Sequence, residues 1–170
     1  MPPACAPSLQ YKIRPATDAD IDKLVRVINR AYLAEAFCVS GDRTNTADIR
    51  ARRKVGCFLV IDDPADPSRL IGSVFISISD GRGYLGMLAV DPDAQGRGLS
   101  RLLVTAVEDF CRLAECGHLD LTVISVRENL FPFYARLGFS RLAVVDFPEP
   151  DRMLMPLHLV KLTKPLAPVV

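Results

Sequence analysis

The sequence predicts an α/β fold of the mixed α+β kind, with a single, mostly antiparallel central sheet of about seven strands flanked by about four helices. Three observations lead there. Apolar residues make up 49% of the 170 residues and charged ones 24%, enough for one sizeable core without disulfides or metal. β-rich runs and helical patterns succeed one another in the order strand, two helices, three strands, helix, strand, helix, two strands. No internal repeat or second domain interrupts that order, so residues 9–163 are expected to form one domain, with 1–8 and 164–170 as tails.

Each element has its own signal. "SLQYKIRPAT" alternates as a first strand and ends at Pro15. Thr17 is placed to cap the first helix, where Asp18 and Asp20 complement the positive end of the dipole, and Ile21, Leu24, Val25, Ile28 and Tyr32 recur at helical spacing. A polar turn at 40–46 leads to a short basic helix around 46–54. "CFLVIDD" and "RLIGSVFISIS" flank the two-proline turn "DPADPS" and read as a hairpin; "YLGMLAV" follows the turn "DGRG" as a third strand. Leu99, Leu102, Leu103, Ala106, Val107 and Phe110 line one face of the next helix, with Gly117 as its C-terminal cap. "LDLTVISV" is a buried strand, and "ENLFPFYARLGF" a short helix capped by Asn129, with Pro132 in its first turn and Gly138 at its stop. "SRLAVVDF" and "MPLHLVKL" supply the last two strands.

Composition narrows the function. A net charge of +1 provides no field to draw nucleic acid or an anionic membrane, which favours a small-molecule partner. Cys5, Cys38, Cys57, Cys111 and Cys116 form an odd set without a CxxC pair, and with only two histidines no metal site is expected. The N-terminus has neither a basic nor an apolar signal region and no apolar run reaches membrane-span length, so a cytoplasmic protein is expected.

Two glycine clusters compete for an anion. "GRGYLG" at 81–86 matches a dinucleotide fingerprint but lies between two strands, where glycines make a turn; Gly86, inside a strand, marks a bulge or a close approach. "QGRGLSRLL" follows a strand and opens an amphipathic helix. Its N–H groups from Gly96 to Arg101 are placed to converge on one phosphate, with Arg97 and Arg101 supplying charge. An ordinary glycine-rich turn before a helix is the competing reading.

The second cluster, with "ENLFPFYARLGF", resembles the GNAT superfamily of acyl-CoA-dependent N-acetyltransferases. The family signature Q/R-x-x-G-x-G/A falls on Gln95, Gly98 and Ser100, after the strand end "LAVDP", and Asn129, Tyr134, Gly138 and Phe139 stand at the spacing of a second motif. Ser100 replaces the usual Gly or Ala, adding a hydroxyl that can donate to phosphate. The order of elements agrees from about Leu9 to Leu162.

The resemblance implies a GNAT fold whose sheet splays between the fourth and fifth strands, near Met87–Val90 and Leu121–Ser125, so that acetyl-CoA, the cosubstrate, enters the gap. It implies a donor site of Leu88, Ala89, Val90, Gln95, Gly96, Arg97, Gly98, Leu99, Ser100, Arg101 and Asn129, an oxyanion-polarising N–H near Leu88, and Tyr134 as the acid that protonates the departing thiolate. Many relatives carry a glutamate base on the strand that reads "YLGMLAV" here, without a carboxylate. Glu35, His158 or a held water is left for that role. Residues 34–54 are expected to roof the acceptor site, where Arg43, Arg50, Arg52, Arg53 and Lys54 outnumber Asp42 and Asp48 and suit an acceptor with a carboxylate, such as an amino acid or its derivative. Glu35, Arg43 and His158 are therefore the candidate acceptor-site residues. The expected activity is N-acetylation of a small primary amine; a protein or peptide N-acetyltransferase and a noncatalytic acyl-CoA sensor are the alternatives. Exposed late strands, common in such folds, suggest a homodimer.

Overall fold

The computed structural model describes residues 11–168. Cys5, the start of "SLQYKIRPAT" and the expected boundary at residue 9 lie outside the described residues. Seven strands form one sheet in the order β1-β2-β3-β4-β5-β7-β6, where β1 is Ile13–Pro15, β2 Gly56–Asp62, β3 Leu70–Ser79, β4 Arg82–Val90, β5 His118–Ile124, β6 Ser140–Val145 and β7 Leu159–Pro165. Every neighbouring pair is antiparallel except β4 with β5. The helices are α1 Ile21–Tyr32, α2 Thr46–Arg52, α3 Leu99–Leu113 and α4 Leu130–Arg136.

The helices divide between two faces. One holds α1 and α2, whose Leu24, Ile28 and Ile49 pack with Phe58, Val60, Phe75, Met87 and Ala89 of the sheet. The other holds α3 and α4, with Leu99, Leu103, Val107 and Tyr134 against Ile61, Ile76, Leu85 and Leu121. On α3 the buried stripe is Leu99, Leu103, Val104, Val107 and Cys111, while Leu102 and Phe110 are exposed. Spacing of four residues from Leu99 selects that stripe, rotating it from the face expected of the sequence. On α1, Val27 is buried and Val25 only half-buried for the same reason.

Three expected caps and turns differ. Glu115, with φ 57°, takes the left-handed position after α3, and Gly117 instead donates its N–H to the Gly81 carbonyl as the chain enters β5. Asp80 (φ 50°) and Gly81 (φ 70°) turn the β3–β4 hairpin, without Gly83. Gly83 lies within β4, where a Cβ would sit 2.4 Å from Cys111 Sγ, so close helix–sheet packing explains this glycine. Asn129 stands at the N-cap of α4 without a side-chain capping bond. The last strand begins at Leu159, because the residues ahead of it leave the sheet for a short turn at Pro150–Arg152 and the roof beyond it.

Arg14 ties the start of the chain to the sheet. Its guanidinium donates to Asp62 of β2 at 2.7 and 2.8 Å and to Asp20 at 2.8 and 3.0 Å. Asp20, buried, also accepts from the Thr17 N–H at 2.8 Å, forming a capping box on the 3₁₀ turn that starts α1. The Arg14 hydrogen bonds hold the Asp20 carboxyl well below the ordinary carboxylate range. Its contribution to stability is present above the unfolded carboxyl pKa, about 3.9, and is lost as pH falls toward the lower folded value. Asp20→Asn is therefore expected to lower stability by about 2 kcal/mol at neutral pH and by progressively less below about pH 4. Urea unfolding of both proteins from pH 7 to pH 3 checks it; a gap that does not shrink in acid would assign Asp20 a purely steric role.

Candidate active site

β4 and β5 run side by side for three residue pairs, Arg82 with His118, Gly83 with Leu119 and Tyr84 with Asp120, and then part. Each strand keeps its other neighbour: β4 pairs with β3 as far as Val90, and β5 with β7 as far as Ile124. Between them opens a cleft of about 690 Å³. Within β4 the register slips, because Phe75 faces Gly86 while Ser73 faces Ala89, leaving Val74 opposite both Met87 and Leu88. Met87 takes φ 48°, a left-handed backbone that costs a non-glycine residue about 1 kcal/mol. The bulge lies on the wall of the cleft.

One end of the cleft is the turn into α3. Asp91 is buried, accepts from the Asp93 N–H at 3.0 Å and is paired with Arg30 at 3.1 Å and Arg69 at 3.4 Å, which fixes the chain where it leaves β4. Gly96 (φ 78°) and Gly98 (φ 75°) are left-handed, and no atom lies within 4 Å of where a Cβ would stand at either. Leu99 buries itself beneath and anchors the helix start. Of the expected donor residues, Leu88, Val90, Gln95, Gly96, Gly98, Leu99, Ser100 and Arg101 line the cleft.

Ala89, Arg97 and Asn129 stand outside that lining. Ala89 packs with the α1 face of the sheet. The Arg97 guanidinium turns back to the Asp93 carbonyl at 3.2 Å and the Tyr11 hydroxyl at 3.5 Å, which leaves Arg101 as the cation at this end. Asn129 is exposed, one residue before Leu130, where the lining resumes.

The other end gathers titratable groups. Tyr134 on α4 is 6% exposed, edge-on to Phe133 at 5.0 Å and Phe139 at 5.7 Å. Burial raises its pKa, aided by Tyr32 and opposed by Arg127, so the phenol stays protonated at neutral pH. Burial likewise pushes Tyr32 up to about 12. Glu35, at the end of the turn after α1, meets Arg127 at 3.4 Å; burial raises its pKa against the pull of Arg127 and Arg43. A carboxyl tuned upward in a cleft has the character of a proton acceptor.

His158 does not join this group. It is exposed, its backbone N–H donates to Ser125 Oγ at 3.1 Å, and its side chain is outside the lining. Arg50 is likewise exposed on the far side of α2. Arg127, Arg152, Tyr32 and Tyr84 line the cleft without having been singled out from sequence.

Charges at this end of the cleft cancel in pairs with one exception among the described residues. Arg127 is matched by Glu35, Arg52 by Asp48 at 3.1 Å and Arg152 by Glu149 at 3.1 Å. Arg43 has no ion-pair partner among the described residues; its guanidinium lies over the Tyr32 ring, 5.1 Å from the centroid. Arg152 also stitches the roof to the far end of the chain. Its Nε donates to the Ser40 carbonyl at 2.8 Å and its terminal nitrogen to that of Asp42 at 2.7 Å, and Val39 bridges to Met153.

Residues 23–139 match the model of the acetyltransferase (GNAT) family. The chain is 38% identical over 100 residues to the mycothiol acetyltransferase of Gordonia bronchialis, a match that covers 56% of this chain and 32% of that protein. It thus spans about a third of that relative's length. Over 139 residues it is 26% identical to the glucosamine 6-phosphate N-acetyltransferase of Trypanosoma brucei brucei, covering 77% of this chain and 90% of the relative. Among solved structures, the ribosomal-protein-S18-alanine N-acetyltransferase of Escherichia coli superposes with a TM-score of 0.75 at 15% identity, over 94% of this chain and 96% of that one. Nourseothricin acetyltransferase superposes at 0.71 with 18% identity, over 92% and 99%. With the split sheet, the glycine turn and a family match over more than half of its length, the chain belongs to the GNAT family of acetyltransferases.

Proposed function

We propose that the protein transfers the acetyl group of acetyl-CoA directly to the primary amine of a small molecule that carries a carboxylate, an amino acid or a close derivative. What supports this reading is that a single cleft has a glycine turn at a helix start at one end and, at the other, a buried phenol, a carboxyl whose pKa burial raises and a guanidinium, that of Arg43, with no ion-pair partner among the described residues. The turn suits the donor: two glycines without nearby atoms let a pyrophosphate approach backbone N–H groups at the start of α3, with the Ser100 hydroxyl and Arg101 beside them. The trypanosomal relative is named for glucosamine 6-phosphate, an amine that also carries an anion, which supports a small anionic acceptor.

The chemistry follows from the order of the groups. Glu35 takes a proton from the acceptor ammonium, directly or through a water, and the freed amine attacks the thioester carbonyl. Negative charge grows on the carbonyl oxygen, where a backbone N–H of the β4 bulge at Leu88 stabilises it. The oxyanion then collapses and the carbon–sulfur bond breaks with its electron pair on sulfur; the attacking nitrogen gives its remaining extra proton to water, and the Tyr134 hydroxyl protonates the departing thiolate and is reprotonated by water. Arg43 holds the acceptor's carboxylate, and its place on the Tyr32 ring restricts the guanidinium before the acceptor arrives.

Free-thiol release from acetyl-CoA, followed with amines, amino acids and peptides, tests the reading directly; thiol release with amino acids or their derivatives is the expected result, and none with any amine would overturn it. Gly98→Glu should abolish the rise in melting temperature that acetyl-CoA gives the wild type, because it fills the approach to the turn and adds a repelling charge. An undiminished rise would move the donor elsewhere.

Tyr134→Phe keeps the ring packing and removes the proton donor, so kcat should fall about 100-fold with little change in donor affinity. A kcat within twofold of wild type, with chemistry rate-limiting, would reduce Tyr134 to a packing residue.

Arg43→Ala should raise KM for an amino-acid acceptor roughly 10-fold or more, the worth of a hydrogen bond between charged groups, and leave KM for acetyl-CoA unchanged. The decarboxylated amine should not distinguish the two proteins. Equal losses with both acceptors would remove Arg43 from carboxylate recognition.

A further inference from the structure

We infer that Tyr84, seated on Gly86 and braced against Thr122, sets the longest acyl group that the cleft accepts. The inference rests on the donor reading above and adds a selectivity to it. Tyr84 is the last residue of β4 paired with β5, so its side chain stands where the strands begin to part. Its hydroxyl lies 3.4 Å from Thr122 Oγ1, two residues beyond the last paired position of β5, and the ring therefore crosses the opening from one strand to the other. Gly86 makes room for it, since a Cβ there would meet Tyr84 Cε1 at 2.8 Å. Tyr84, Gly86 and Thr122 all line the cleft.

The direction of the donor gives this wall its meaning. The glycine turn lies beyond Val90, six residues along β4 from Tyr84, about 20 Å for an extended strand. A donor with its phosphates on that turn and its arm between β4 and β5 points its thioester toward the closed end. The group on sulfur therefore faces the Tyr84 ring. An acetyl group fits short of it; each further methylene must displace a ring held by a hydrogen bond on one side and by backbone on the other. Pockets of this kind discriminate by roughly 10-fold or more per misfitting methylene.

The experiment compares acetyl-, propionyl-, butyryl- and hexanoyl-CoA by two readouts, calorimetric affinity without acceptor and kcat/KM for thiol release with the best acceptor. Wild type should favour acetyl-CoA over butyryl-CoA at least ~10-fold. Tyr84→Ala should bring the two within about threefold in both readouts, and Tyr84→Phe, which keeps the ring, should retain the wild-type order. Tyr84→Val repeats the test with a β-branched residue suited to a strand, should the alanine variant not fold. Wild-type protein that uses hexanoyl-CoA as well as acetyl-CoA, or Ala and Val variants that bind acetyl-CoA with wild-type selectivity, would overturn the inference. Wild type that binds none of the four thioesters would overturn the donor reading and, with it, this one.

Discussion

Two parallel strands in the middle of a sheet ordinarily pair to their ends, because every buried N–H and C=O left without a partner costs free energy. β4 and β5 part after three pairs, and the rest of the domain is arranged around keeping them apart. β3 holds β4 and β7 holds β5 along their outer edges, so the strands cannot swing together without tearing two antiparallel ladders. α3 and α4 pack beneath the gap with Leu99, Leu103 and Tyr134. The exposed backbone edges are then available to a ligand with amides of its own, which satisfies them as an added strand would. The Met87 bulge belongs to the same constraint: it turns part of the β4 edge out of the ladder and toward the space.

The two ends of the gap solve different electrostatic problems. The glycine turn presents the start of α3 with one arginine, Arg101, which lines the cleft while exposed, so no cation is buried there. At the far end a phenol, a carboxyl and several guanidiniums line the same cleft. Among the described residues every guanidinium there but that of Arg43 is matched by a carboxylate, which keeps the field local. Burial does the rest, raising Tyr134 and Glu35 together and so favouring the protonated phenol while loosening the carboxyl's hold on its charge.

Much of this was legible in sequence wherever the determining forces are local. The turn from Asp91 to Leu99 announces itself because a strand end, two glycines and a helix start are contiguous. The β2–β3 hairpin is legible for the same reason, as is Tyr134 on its short helix. What sequence hid depends on partners far along the chain. Gly83 looked like a turn residue because the Cys111 thiol that excludes a side chain there lies 28 residues away. The sequence singles out Arg43 among the five basic residues of 43–54, but that it stands on the Tyr32 ring while Arg52 pairs with Asp48 depends on the fold. Arg127 and Glu35 meet across 92 positions; Glu35 is a candidate in the sequence, but no local pattern signals Arg127 as its partner. His158 attracted notice as a histidine; its register at the start of β7 puts it in solvent.

The Arg152 stitch has a consequence for the order in which the molecule comes into being. Ser40 and Asp42 leave the ribosome early, yet the guanidinium that binds their carbonyls is made more than 100 residues later. Until then the segment from Val39 to Arg43 has neither its strand bridge nor its arginine clasp. α1, β2, β3 and β4 can assemble first and offer a formed floor, and α3 can follow with the glycine turn, while the arch at 39–43 waits for Arg152 and Met153. The arch over the cleft is thus among the last parts of the molecule to be fixed, closed only when Arg152 arrives to clasp it.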